Sequence, residues 1–176
     1  MILTSNYFKT LKINITKGKK EFLFDINGNK YIDLISSWWT NIHGHCNLKI
    51  QKAISNQAKK LDHVIFTDFI HNPAIELSDK LYNLTNQNFH KFFFSDNGST
   101  CVEVALKIAY QYHKNQNQNR KVFLSFDGGY HGDTFGAMSV GKNSGFFNVF
   151  KDLFFEVKFI KYPETWQYDL EKKKKE

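Results

Sequence analysis

Arginine is nearly missing from this chain of 176 residues: Arg120 stands alone beside 23 lysines, with 17 acidic residues and a net charge of +7. A surface that grips phosphate backbones uses arginine, whose planar fork holds phosphate by two parallel bonds. The basicity therefore reads as a general preference for Lys, Asn, Ile and Phe, as an AT-rich genome imposes, and not as a nucleic-acid footprint. Cysteine is scarce too. Cys46 and Cys101 lie far apart with no CxxC spacing, which excludes a disulfide framework and a thiolate zinc site. Long apolar runs are missing: nothing approaches the ~20 residues that span a bilayer, and the mean hydropathy is −0.47. The first twenty residues lack a signal peptide's apolar stretch and cleavage site. These absences point to a soluble, cytoplasmic protein without nucleic-acid or membrane partners. What is present, 41% hydrophobic and 16% aromatic residues, suffices for a packed core and excludes wholesale disorder.

Local patterns place the elements. Glu21–Asp25 and Lys30–Leu34 alternate polar and apolar residues around Asn27-Gly28, the signature of a β-hairpin. Ser36–His45 follows as a loop holding Trp38 and Trp39, and its His43-Gly44-His45 lacks a third ligand at metal-site spacing, so it reads as turn chemistry. Ile50, Ala53, Ile54, Ala58 and Leu61 form a helical stripe within Leu48–Leu61. Asn72-Pro73 reads as a cap followed by first-turn proline, starting a helix through Leu84. Lys91–Ser95, with three consecutive phenylalanines, suits a buried strand. Thr100 to Glu103 has capping-box spacing and opens a helix to about Tyr112. Lys121–Phe126 and Phe154–Ile160 complete the set as strands. Strand, helix, strand is a βαβ unit, so the class is α/β.

Two strand-ending turns, Asp96–Ser99 and Asp127–Asp133, fall on the same sheet edge, where open α/β sheets bind ligands. Gly98-Ser99-Thr100 at a helix start offers backbone N–H groups, two hydroxyls and the positive end of a helix dipole. That is either a phosphate cradle or plain capping. It is neither a Walker A loop nor a GxGxxG loop. Tyr130 offers a ring that can stack on a flat cofactor, whereas His131 is either a functional imidazole or a hydrogen-bonded structural one.

Taken in order, Tyr31-Ile32-Asp33, Ser36-Ser37-Trp38-Trp39, Gly44-His45, His71 to Leu77, Ser95 to Ser99 and Gly129 to Ser139 closely resemble the N-terminal part of class III aminotransferases. These are pyridoxal 5′-phosphate (PLP) enzymes. The tryptophan pair resembles the group that moves the amino group of S-adenosylmethionine to 8-amino-7-oxononanoate, giving 7,8-diaminononanoate in biotin synthesis. The resemblance runs from about Ile13 to Phe155. It implies the first portion of a fold type I, aspartate-aminotransferase-like transferase, homodimeric when complete. Residues 1–48 would form an N-terminal arm, hairpin and substrate loop belonging to the small domain. Residues 49–162 would begin the PLP-binding large domain, and residues 163–176 would be a truncated lysine-rich tail. Gly98 and Ser99 would hold the PLP phosphate, and Tyr130 would lie over its ring and face substrate. Trp38 would wall the pocket for the long apolar substrate, and Asp133 would take a supporting position near the substrate-recognition apparatus.

The same resemblance implies what this stretch does not carry. The Schiff-base lysine, the aspartate of the pyridine nitrogen, the substrate arginine and the phosphate-site threonine of the dimer partner have no counterparts here. No catalytic residue is therefore assigned, and the expectation is a fragment inactive by itself. The family's early Trp-His-Pro-aromatic-Thr segment is also missing, and Tyr7 lacks its flanking motif. Two other readings remain: a fragment of another class III omega-aminotransferase, against which the tryptophan pair speaks, and a non-catalytic phosphate-binding module.

Overall fold

Asp25 organises the hairpin turn at Asn27-Gly28. Its Oδ1 accepts the backbone N–H groups of Asn27 (2.9 Å) and Asn29 (2.8 Å), and its Oδ2 accepts the Asn29 amide (2.9 Å) and the Tyr31 hydroxyl (3.0 Å). Gly28 supplies the positive φ of +83° that the turn requires. Asn27-Gly28 thus joins β2 (Phe22–Asp25) to β3 (Lys30–Ile32), with Phe22 opposite Ile32 and Phe24 opposite Lys30. β1 (Ile15–Lys19) adds antiparallel to β2 with an irregular register between Ile15 and Lys17, giving the order β1-β2-β3.

The structure is a computed structural model, and it describes residues 13–141 and 144–162. Tyr7, most of the N-terminal arm and the lysine-rich tail lie outside the described residues. The chain divides into two compact units, Met1–Asn83 and Leu84–Glu176. In the first, Gly44-His45 folds back on the sheet: Lys20 and His45 exchange backbone hydrogen bonds of 3.0 and 2.8 Å. Asn47 caps α1 (Leu48–Ala58) through the N–H groups of Lys49 and Ile50. α2 spans Asn72–Leu84 as the proline placement indicates, but its cap is His71, one residue earlier than the sequence reading. The imidazole Nδ1 accepts the N–H of Ala74 at 3.2 Å. Counting back three residues from that donor makes His71 the capping position.

The second unit is built on α3 (Gly98–Asn115), β4 (Phe123–Phe126), α4 (Phe135–Val140) and β5 (Val157–Ile160). β4 and β5 run parallel, Phe123 opposite Val157 and Phe126 opposite Ile160. The α/β class stands, but the parallel pairing differs from the sequence reading. Lys91–Ser95 carries no ladder among the described residues, so β4 pairs with the strand after it. Three phenylalanines mark an apolar segment without supplying the neighbour a strand needs. The core of this unit is α4, whose Gly136, Ala137, Met138, Ser139 and Val140 are all buried, together with Phe147 and Val157. Its small residues let α3 approach closely. The Ser125 hydroxyl of β4 donates to the Val140 carbonyl at 2.6 Å and ties sheet to helix.

Candidate functional site

The start of α3 is capped so that part of it stays open. Asn97 is extended, and its Oδ1 accepts the Thr100 N–H at 3.0 Å while the Thr100 hydroxyl accepts the Asn97 N–H at 3.2 Å. The capping box therefore closes from Asn97 to Thr100, not from Thr100 to Glu103. Asn97 offers a side-chain acceptor one turn earlier, and the helix begins there. The Cys101 N–H makes the first helical bond to the Asn97 carbonyl. Gly98 and Ser99 keep backbone N–H groups with no partner among the described residues. Two converging donors at the positive end of an 18-residue helix suit an anion. The two sequence readings are thus compatible: Asn97 caps the third N–H, leaving the first two available.

The second turn packs directly on this helix start. Gly132 has φ +122°, and a Cβ there would fall on the Cβ and Oγ of Ser99. The Thr134 N–H donates to Ser99 Oγ at 3.0 Å, and the two hydroxyls are 2.9 Å apart. Glu103, released from capping its own helix, crosses to α4 and accepts the N–H groups of Gly136 (2.6 Å) and Ala137 (3.1 Å). Desolvation pushes the Glu103 carboxyl up, but bonds from Thr134, Ala137 and Gly136 and the charge of Lys107 together hold it below the usual range.

Tyr130 donates its hydroxyl to Asp133 Oδ1 at 3.0 Å. That bond, with desolvation and the carboxylate charge, raises the phenol above its ordinary value. One ring face stacks on Phe147, with centroids 5.8 Å apart and planes 27° apart, while the ring as a whole stays half exposed. A cavity of about 720 Å³ opens between Gly98, Ser99 and Val102 on one side and Tyr130, Gly132 and Asp133 on the other. Sequence reading had brought Gly98, Ser99, Tyr130 and Asp133 to one edge; the structure brings them to one cavity. His131 lines the same cavity and also carries a hydrogen-bond partner, its Nε2 lying 3.4 Å from Ser125 Oγ. Glu103 and Thr134 escaped sequence reading, because a carboxylate at capping-box spacing is read toward its own helix.

Trp38 lies in the first unit, in an unusual setting. Ser36, Ser37, Trp38 and Trp39 have φ between +47° and +64°, one left-handed turn made of four non-glycine residues. Each such residue costs about 1–2 kcal/mol, so anchors are required. Asp33 provides them: its Oδ2 accepts from Ser37 Oγ (2.6 Å) and sits 2.8 Å from His45 Nε2, and its carbonyl accepts the Ser36 N–H. Bonds from Ser37 first, then His45, bring the Asp33 carboxyl down to about 2. The turn holds both indoles out, Trp38 77% and Trp39 76% exposed, against the packing role that tryptophan usually has.

Comparison with known proteins bears on the same residues. A family profile for aminotransferase class-III matches residues 3–176. Adenosylmethionine-8-amino-7-oxononanoate aminotransferase of Synechococcus elongatus is 52% identical over 157 residues, covering 89% of this chain and 37% of that protein. The enzyme of the same name from Staphylococcus aureus is 43% identical over 171 residues, 94% of this chain and 38% of that protein. Among solved structures, that of the Methanocaldococcus jannaschii enzyme superimposes with a TM-score of 0.85 at 40% identity, over 92% of this chain and 37% of that one. A PLP-bound amine transaminase from an uncultivated Pseudomonas species gives 0.83 at 27% identity, over 98% of this chain and 39% of that one. The chain thus spans well under half the length of these relatives. With a profile that covers nearly all of its residues, it belongs to the class III aminotransferases.

Proposed function

We propose that this chain supplies the PLP phosphate site and a substrate-facing wall of an aminotransferase that moves the amino group of S-adenosylmethionine to 8-amino-7-oxononanoate. Relatives of that name at 52% and 43% identity support the reaction. The single observation that carries the cofactor site is the start of α3. Gly98 and Ser99 offer free N–H groups there, and Gly132 lacks the Cβ that would block Ser99. The residues present fit a phosphate dianion. They would hold it through those two N–H groups and the Ser99 hydroxyl. Once bound, PLP supplies an electron sink and an amino carrier. Tyr130 would cover its ring from the side away from Phe147 and present its hydroxyl, held by Asp133, toward substrate. Trp38, on its anchored left-handed turn, would line the apolar length of 8-amino-7-oxononanoate. None of these residues carries the cofactor covalently, and we assign no catalytic residue within the chain. Residues 49–162 would open the large domain of a cytoplasmic homodimer, after a small-domain segment in residues 1–48.

The test is calorimetric. Pyridoxamine 5′-phosphate and pyridoxamine differ only in the phosphate, and neither carries the aldehyde that would react with the 23 lysines. The phosphorylated ligand should bind at least about tenfold more tightly, as expected for one or two charge-assisted bonds, and Ser99→Ala should erode that preference. Equal affinities would refute the site.

A further inference from the structure

His45 is fixed to the sheet by more than its backbone. Its N–H and carbonyl are tied to Lys20, just after β1, by bonds of 2.8 and 3.0 Å. Its ring lies against Gly18 of β1, where a Cβ would come 2.8 Å from His45 Cβ and 2.9 Å from Cγ. The imidazole thus takes the space a β1 side chain would fill, and its side chain is only 13% exposed. From this seat Nε2 meets Asp33 Oδ2 at 2.8 Å. An ionised carboxylate only accepts, so Nε2 is the donor. The same Oδ2 accepts the Ser37 hydroxyl at 2.6 Å. Ser37 lies inside the left-handed turn and immediately precedes Trp38. Contacts therefore run without a gap from Gly18 through His45, Asp33 and Ser37 to Trp38.

We propose that Gly18 and His45 are positioning residues: they fix the Asp33 carboxylate against β1, and through Ser37 they set the direction of Trp38. The inference rests on the reading of Trp38 as a substrate wall and deepens it, since fit to the apolar chain is then set from the sheet. Left-handed backbone at successive non-glycine residues persists only where the surroundings over-determine it. The Trp39 N–H bonds to the Ile35 carbonyl (3.0 Å) and the Asn41 N–H to the Ser36 carbonyl (2.9 Å), which closes the turn upon itself. Asp33 joins it to the sheet. With Ser37 as its sole donor, that carboxylate could still rotate. A second donor seated on β1 removes the freedom, as a supporting shell does for a binding group.

Near-UV circular dichroism of the 176-residue chain tests this, in a Trp166→Phe background where Trp38 and Trp39 are the remaining indoles. His45→Ala and Gly18→Ala should each lose most of the tryptophan band, because the indoles are no longer held in one direction. His45→Gln carries an amide nitrogen at the reach of Nε2 and should restore the band. His45→Asn, whose shorter amide reaches only as far as Nδ1, should not. A histidine that merely fills space would not separate the two amides. Calorimetric titration with 8-amino-7-oxononanoate follows the consequence. His45→Ala should bind it about 3- to 10-fold more weakly, the worth of one hydrogen bond, and should cost nothing further in a Trp38→Ala background. Substitutions on the sheet and in the loop guard against one failing to fold, judged by far-UV circular dichroism. A full tryptophan band in folded His45→Ala and Gly18→Ala overturns the inference. Equal bands for His45→Gln and His45→Asn, or a loss of affinity that survives Trp38→Ala, overturn it as well. A parent chain that binds 8-amino-7-oxononanoate no more tightly than Trp38→Ala overturns the substrate reading of Trp38 instead, while the band still decides whether His45 positions it.

Discussion

Replacing Gly132 by alanine puts the packing of the two turns under direct strain. At φ +122° a side chain is disfavoured by about 1–3 kcal/mol. The new Cβ would also overlap the Cβ and Oγ of Ser99 and come within 2.7 Å of its Cα. A clash with backbone cannot be relieved by rotating a side chain, and overpacking of this kind costs about 1–3 kcal/mol more. The sum is about 2–6 kcal/mol. Gly128→Ala is the matched control. It shares a positive φ, +75°, but its Cβ meets nothing within 4 Å, so only the conformational part applies, about 1–2 kcal/mol. Gly98→Ala, with ordinary φ and open space, should be neutral or slightly stabilising. Urea unfolding followed by circular dichroism reads all three. Gly132→Ala should be the most destabilised and should lose phosphate-dependent binding, because Ser99 must move. Equal losses for Gly132→Ala and Gly128→Ala would refute the contact between the turns.

Asn97→Ala removes the cap that selects which N–H groups stay free, and should cost about 1 kcal/mol in the same assay. Asp33 is held to about 2 in the folded chain against an ordinary value near 3.9. Its stabilisation is therefore complete above about pH 4 and is lost as pH falls toward 2. Tryptophan fluorescence should report release of the left-handed turn over that window, and Asp33→Asn should abolish the transition. Tyr130→Phe keeps the stacked ring but removes the bond to Asp133. It should leave pyridoxamine 5′-phosphate affinity within about threefold, whereas Tyr130→Ala should weaken it by about tenfold, since a ring contact is worth about 0.5–1.5 kcal/mol.

The hairpin, α1, α2 and β4 were legible because each is specified locally: Asn27-Gly28 for the turn, the Ile50-Ala53-Ile54-Ala58 stripe for α1, Pro73 for a first helical turn. Lys91–Ser95 misled because strand formation depends on a neighbour that apolar composition cannot name. Of the candidate site, the grouping of Gly98, Ser99, Tyr130 and Asp133 around one cavity was legible. Its supports were not. Glu103 reaches 33 residues along the chain to Gly136, and Thr134 reaches 35 back to Ser99; such pairings leave no local period. The left-handed turn at Ser36–Trp39 was hidden for a related reason: bulky residues there go against propensity, and Asp33 and His45 hold them from outside the segment.

The account depends most on the free N–H groups at the start of α3, and amide NMR reads them individually. On titration with pyridoxamine 5′-phosphate, the Gly98 and Ser99 amide protons should show the largest downfield shifts in the chain, with pyridoxamine leaving them nearly unmoved. Shifts concentrated on lysine-rich segments, with Gly98 and Ser99 unchanged, would contradict it.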